Sequence, residues 1–194
     1  YKEGRWMRLN EQDLELLARQ IPDIIEQITT SVSRSGFTIN YKKKNISGMS
    51  LNGTFPGHAT MNHIQMKAGR FINNLDIAEK RKVIVLEHIT AKNLLKGSTD
   101  YSSLLGKKIK VGNLVFTIVG VRHSEENRND RDLSIPFTTA KTIFGMNNDL
   151  NQISFTFHGL ETEEDNDAFE KRIKQILNSR HSAALDDEST YWND

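Results

Sequence analysis

The sequence predicts an α/β protein of the mixed, α+β kind, organised as two mixed subdomains. Three observations carry that prediction. Residues 81–145 alternate strand and helix patterns, with the apolar run Val83-Ile84-Val85-Leu86 first and Ile135-Pro136-Phe137 near the end. Pro56-Gly57 is the clearest break in the first half. Both chain ends then supply helix and strand patterns of their own, so residues 1–56 and 146–194 can build one layer, with residues 57–145 inserted as a smaller α/β unit.

In chain order, Asn10 offers an N-cap with Asp13 three positions on, and Leu14, Leu17, Ala18 and Ile21 share one helical face until Pro22 stops it. Residues 24–33, 37–42 and 46–55, rich in Ile, Thr and Val, read as two or three strands. Gly36 and Lys42-Lys43-Lys44-Asn45 mark the expected turns, and Pro56-Gly57 the expected domain boundary. Residues 74–79 suggest a helical turn, Val83 opens a strand, and Ala91, Leu94 and Leu95 give a short helix a narrow apolar stripe that Gly97 ends.

The most informative local signal is a hairpin. Residues 104–111 and 114–121 are β-rich runs joined by Gly112-Asn113. The first arm alternates Lys108 and Lys110 with Ile109 and Val111, so one face is wet. The second arm is nearly all apolar and predicts a strand buried on both faces. Residues 124–131 are polar, charged and aperiodic, which predicts a mobile surface loop. Beyond it, residues 153–157 alternate as a strand, and Thr162 caps a helix whose Phe169, Ile173, Ile176 and Leu177 lie on one face. Glu163, Glu164 and Asp165 in its first turn, with Lys174 and Arg180 toward its end, suit the helix dipole.

Composition excludes several classes. The 194 residues hold 37% hydrophobic side chains, enough for one good core or two small ones. The net charge of +1 gives no global field of the kind nucleic-acid binders carry. The chain has no cysteine, which removes thiolate catalysis, cysteine zinc sites and disulfides. No apolar run nears the roughly eighteen residues of a spanning helix, and no signal peptide opens the chain.

No chemistry-bearing motif survives inspection. His58, His63, His88, His123, His158 and His181 show no metal-ligand spacing. Residues 48–53, Gly-Met-Ser-Leu-Asn-Gly, miss the nucleophile elbow by one position and read as a strand ending in a Gly-containing turn. Nucleotide-phosphate motifs are missing, and the acidic run at residues 161–167 is better explained as a helix start than as calcium ligands. Asn45-Ile46-Ser47 and Asn52-Gly53-Thr54 match the glycosylation pattern but read as turn residues. Lys107, Lys108 and Lys110 with Lys42, Lys43 and Lys44 form either a basic patch for an acidic partner or lipid headgroups, or a solvated strand edge that lysine guards. Catalytic, cofactor-binding and metal-ligating residues are therefore all predicted to be none, and the domain is expected not to be an enzyme.

Five pieces come in one order: Gly69-Arg70-Phe71; Arg81-Lys82-Val83-Ile84-Val85-Leu86; Leu105-Gly106-Lys107-Lys108-Ile109; Phe116-Thr117-Ile118-Val119-Gly120-Val121; and Ile135-Pro136-Phe137-Thr138-Thr139-Ala140. Together with Ser179-Arg180-His181 near the end, they resemble the periplasmic core domain of MacB-like (FtsX-like) ABC transporter permeases. The resemblance implies a segment between two transmembrane helices, held in the periplasm at the inner membrane. It divides into a membrane-proximal, porter-like subdomain (1–56 and 146–194) and a membrane-distal inserted one (57–145). Tyr1, Trp6, Tyr191 and Trp192 at the ends are consistent with a nearby membrane boundary and equally with ordinary aromatic packing.

The function the resemblance implies is mechanical: passing ATP-driven conformational change to periplasmic partners or substrate during export. The implied partners are a cytoplasmic ABC ATPase, fused or separate, a second permease protomer, and a periplasmic adaptor with an outer-membrane duct. Nucleic acid and cofactors are not expected, and the isolated domain is expected to be mostly monomeric. The rival readings are a free-standing extracytoplasmic sensor or ligand-binding module, and a small hydrolase. Flanking membrane spans in the full reading frame, three more of them after this domain, would favour the permease, and a kinase domain the sensor.

Overall fold

A computed structural model describes residues 31–124 and 131–145, together with residues 171 and 175, which are helical and exposed. Seven strands lie in chain order: β1 (Ser31–Tyr41), β2 (Lys44–Thr54), β3 (Met66–Gly69), β4 (Val83–Glu87), β5 (Lys108–Val111), β6 (Leu114–Arg122) and β7 (Asp132–Pro136). Between them stand α1 (Gly57–Met61), α2 (Asn74–Ala78), α3 (His88–Leu94) and α4 (Phe137–Phe144), with a 3-10 turn at Tyr101–Leu104. The result is a mixed α/β domain around a seven-stranded mixed sheet with few helices.

The sheet closes on itself. β1 pairs antiparallel with β2, β2 parallel with β7, β7 antiparallel with β4, β4 parallel with β6, β6 antiparallel with β5, and β5 antiparallel with β1. β3 flanks the ring, pairing with β6 beyond the end of β5. Each strand sends alternate side chains inward, and Ile39, Met49, Leu51, Ile84, Leu86, Ile109, Val111, Phe116, Ile118, Leu133 and Ile135 merge into one core. On the outside, α4 lies against β1 and β2. Phe55 stacks on Phe137 there, with ring centroids 4.7 Å apart, and Thr138 Oγ1 donates to the Ile77 carbonyl of α2 at 2.7 Å.

Two close approaches fix the junction of β3 and β6. The Arg70 N–H donates to the Val119 carbonyl at 3.0 Å. A Cβ on Gly69, where φ is +67°, would stand 2.2 Å from that carbonyl oxygen, and one on Gly120 would stand 2.0 Å from the Arg70 oxygen. Arg70 then grips the buried Asp76 of α2 with both guanidinium nitrogens, at 2.6 and 3.1 Å. Asp76 also completes a reciprocal cap with Asn73, accepting the Asn73 N–H at 3.0 Å while Asn73 Oδ1 accepts the Asp76 N–H. Gly69-Arg70-Phe71 is thus a structural joint.

The hairpin, with its first arm shortened to Lys108–Val111, the Val83 strand and the short helices at Asn74–Ala78 and His88–Leu94 stand where the sequence predicts them, and α4 follows Pro136. The sheet runs on across the Pro56-Gly57 break, because β1 and β2 precede it and β2 pairs along its second half with β7. Three expectations are corrected. Gly36, at φ +94°, sits inside β1 at a shift of register, where it bends a single continuous strand. The motif at residues 48–53 and both Asn-X-Ser/Thr matches lie within β2. Gly53 is glycine because a Cβ there would meet the Ala140 Cβ at 2.2 Å.

The third is β6. Phe116 and Ile118 are fully buried, whereas Val115 is 51% exposed and Leu114, Thr117 and Val119 are partly so, since the outer face of β6, unlike that of β4, is left partly uncovered. Of the expected mobile loop, residues 125–130 lie outside the described residues, but its ends are tied. Ser124 is buried, and Arg131 Nη1 donates to the Ser47 carbonyl at 3.1 Å. The helix after Asn10, the strand at 153–157, the helix after Thr162, Ser179-Arg180-His181 and the terminal aromatics also lie outside the described residues.

Core placement fixes a stability contrast. Phe116→Ala or Ile118→Ala should each cost about 2–5 kcal/mol in urea unfolding. Val115→Ala, one position away on the outer face, should stay within about 0.5 kcal/mol. Equal losses at Val115 and Phe116 would contradict the closed ring.

Candidate functional site

Two groups of polar residues stand out, one partly buried and one exposed. The first gathers where β4 and β6 end side by side. Their parallel register sets Glu87 opposite Arg122, and Arg122 Nη2 donates to Glu87 Oε1 at 2.5 Å, the Glu87 side chain being wholly buried. Just beyond the last paired residues, the rings of His88 and His123 stack with centroids 5.0 Å apart, and Tyr101 meets His88 edge-on. The Ser124 N–H donates to His88 Nδ1 at 3.0 Å, with Ser124 Oγ 3.1 Å from the same nitrogen. His58 of α1 is held below the usual histidine range, first by burial and then by the positive charge of Arg122.

The contact of Ser124 with His88 is not a hydrolytic dyad. The nitrogen that would take the serine proton already accepts Ser124's own backbone N–H, and the neighbouring carboxylate is engaged by Arg122. Among the described residues no group of three or more His, Cys, Asp or Glu side chains could hold a metal ion. The cluster ties two strand ends to the segment entering residues 125–130. Spacing alone leaves the histidines scattered; the available signal is that Glu87-His88 and Arg122-His123 each close a strand pattern with a charged residue followed by histidine. His63 lies apart, and His158 and His181 are outside the described residues.

The second group is lysine. The β1–β2 turn carries Lys42 and Lys43, with Lys44 opening β2. β5 pairs with the same end of β1 through Asn40 opposite Lys110 and Ile39 opposite Val111, so continued register brings Lys108 toward Lys42. The two lysine runs, 65 positions apart from Lys42 to Lys107, therefore share one end of the ring. Lys42, Lys43, Lys107, Lys108 and Lys110 are exposed. Lys108 Nζ donates to Thr117 Oγ1 at 2.6 Å and Lys44 Nζ to Asn93 Oδ1 at 3.2 Å. The ion pairs among the described residues are Arg70 with Asp76, Arg81 with Asp76 and Glu79, and Arg122 with Glu87, and none of the six lysines takes part. The edge-guarding role does not fit β5, which is paired on both sides.

The near-neutral total conceals this. Residues 31–124 and 131–145 hold seventeen Lys and Arg against five Asp and Glu, a formal +12, while the rest of the chain holds nine against twenty, or −11. The expectation of no strong field holds for the chain's sum but not for the ring.

Two outcomes follow from the buried cluster. Arg122→Leu, which takes the arginine away from the buried Glu87 carboxylate, should cost about 3–5 kcal/mol, and adding Glu87→Leu should recover most of it; a double variant as unstable as the single would contradict the pairing. His58 binds its proton less readily folded than unfolded, so its contribution to stability is complete above the ordinary value of 6.5 and is lost as pH falls below it. Urea midpoints at pH 7.5 and 5.5 should fall less for His58→Gln than for the unaltered protein, and equal falls would refute the assignment.

Comparison with known proteins gives a consistent answer. The profile of the MacB-like periplasmic core domain matches residues 2–176. A probable syringafactin export ATP-binding/permease protein, SyfD, of Pseudomonas syringae pv. tomato is 29% identical over 163 residues, covering 81% of this chain and 23% of that protein. An uncharacterized ABC transporter permease, YknZ, of Bacillus subtilis is 25% identical over 160 residues, covering 81% and 38%. The macrolide export protein MacB of Rhodospirillum rubrum is 28% identical over 138 residues, covering 68% and 20%. The chain thus spans well under half the length of these relatives. Among solved structures, the extracellular domain of YknZ from Gram-positive bacteria aligns with a TM-score of 0.54 at 21% identity, over 90% of this chain and 84% of that one. The periplasmic region of MacB from Actinobacillus actinomycetemcomitans aligns at 0.53 and 19%, over 91% and 76%, and both show likeness of fold. With a profile match running across most of its residues, this chain belongs to the MacB-like periplasmic core domain family of ABC transporter permeases.

Proposed function

We propose that this chain is the extracytoplasmic part of a MacB-like ABC permease and passes ATP-driven conformational change from the membrane to extracytoplasmic partners or cargo. The family match carries the reading. Relatives named for syringafactin export and for macrolide export share the domain, which suits a part that transmits movement more than one that selects cargo. Those relatives are ATP-binding/permease proteins, so an ABC ATPase domain or subunit and a second permease protomer are the partners nearest the membrane.

The ring's geometry supports the mechanical role. Ser31 opens β1, and three residues on, Arg34 Nη2 donates to the Phe144 carbonyl at 3.1 Å and the guanidinium lies over the Phe144 ring. Chain entry and exit are therefore adjacent, as a unit inserted between membrane-anchored segments requires. The closed core between them moves as one piece. In this reading the distal inserted unit begins near residue 31, earlier than the expected residue 57, and the membrane-proximal unit expected from the two chain ends lies outside the described residues. No helix among the described residues is long and apolar enough to cross a membrane.

A spin label tests the transmission. The chain has no cysteine, so Asn113→Cys in the exposed β5–β6 turn gives one site per domain. In the full-length permease with its ATPase, the distance distribution between the two protomers' labels should shift between the nucleotide-free and ATP-trapped states. Superimposable distributions while ATP is being hydrolysed would overturn the proposal. The isolated domain should sediment as a monomer at low micromolar concentration. Among the described residues the exposed large apolar side chains, Met61, Leu75, Ile89 and Val115, sit on four different elements and offer no patch like the roughly 2,000 Å² or more of an obligate interface.

A further inference from the structure

The lysine end of the ring asks for an explanation that neither packing nor edge protection supplies. Six lysines, Lys42, Lys43, Lys44, Lys107, Lys108 and Lys110, are assembled there from two distant runs, and none is in an ion pair among the described residues. Concentrating like charge costs Coulomb energy, which falls only when an opposite charge arrives. No arginine joins the group, and arginine is the residue suited to rigid, bidentate grips. A cluster of hydrated ammonium groups suits long-range attraction and contacts that form and release readily.

Position narrows the occupant. Lys42 stands at the far end of β1 from the entry at Ser31, about 25 Å of extended strand beyond the Arg34 contact with Phe144. A second copy of this end is excluded, because it would bring the same unpaired positive charge against itself. A membrane that holds both chain exits lies at the opposite end of the body.

We propose that this lysine end is a docking surface for the acidic face of an extracytoplasmic protein. The inference rests on the permease reading for its orientation and adds the partner's chemistry, but its test needs neither ATP nor a membrane. A failure here leaves the spin-label result standing, and the reverse holds as well.

The test uses the 194-residue protein and fluorescein-labelled poly-L-glutamate, read by anisotropy at near-physiological ionic strength. Lys42→Glu, Lys43→Glu and Lys110→Glu together should weaken binding about tenfold or more, whereas the same charge change at exposed Lys67, Lys82 and Lys171 should weaken it less than about threefold. If the glutamate set lowers the thermal midpoint, the corresponding Lys→Gln set is read in its place and should still lose affinity beyond the control. Equal losses in the two sets would show that net charge alone binds, and would overturn the proposal. Absence of binding, or capture of phosphatidylglycerol vesicles through the same lysines in preference to poly-L-glutamate, would likewise overturn it.

Discussion

Four residues, Lys108–Val111, close the sheet. On one side they pair along β6, and on the other they reach Ile39 and Asn40 of β1. Without that second pairing the seven strands would form an open sheet with two free edges; with it, six of them share one interior, and a modest number of apolar residues suffices. The inner positions are spread over six strands, so each contributes only two or three large side chains. This explains how a chain with 37% hydrophobic residues builds a buried apolar core.

The local pattern of this arrangement is legible in the sequence; its closure is not. Alternation of lysine with Ile109 and Val111, and the Gly112-Asn113 turn, identify the hairpin from sequence because both depend on neighbours in the chain. Closure depends on β5 meeting β1, some seventy residues earlier, and no local pattern encodes that meeting. β6 reads as two-sided for the same reason: valines at 115 and 119 look like core until the ring gives them an outside. Gly36 and Gly53 read as turns because glycine in sequence signals a break. In the fold one bends a strand and the other makes room for Ala140. Pro56-Gly57 does end a strand, yet the sheet resumes through β7, whose parallel pairing with β2 bridges the expected boundary.

Buried charge supplies a second layer of specification. Asp76 and Glu87 are fully buried and each is met by an arginine whose own side chain keeps some solvent, 41% for Arg70 and 18% for Arg122. Such pairs add little net stability against apolar replacements, but removing one partner is costly, so they select one arrangement over its near alternatives. Arg70 does so with the close approach at Gly69 and Gly120, which together set where β3 leaves β6 and α2 begins. The family-like Gly69-Arg70-Phe71 stretch therefore has a physical reading that requires no ligand.

Charge distribution connects this frame to its place in a larger protein. A body of formal +12 covalently joined to segments of −11 is nearly neutral from far away, yet within roughly a Debye length, about 8 Å at physiological ionic strength, each surface acts by its own sign. Arg70 and Arg122 face buried carboxylates, whereas Lys42, Lys43, Lys107, Lys108 and Lys110 are exposed to water. Ring closure is what assembles them, since the pairing that completes the core also lays Lys110 beside Asn40 and carries Lys108 toward Lys42. The same four-residue strand thus points Ile109 and Val111 into the core and Lys108 and Lys110 into solvent, so the stiffness of the ring and the position of its charged end arise from one alternation in the sequence.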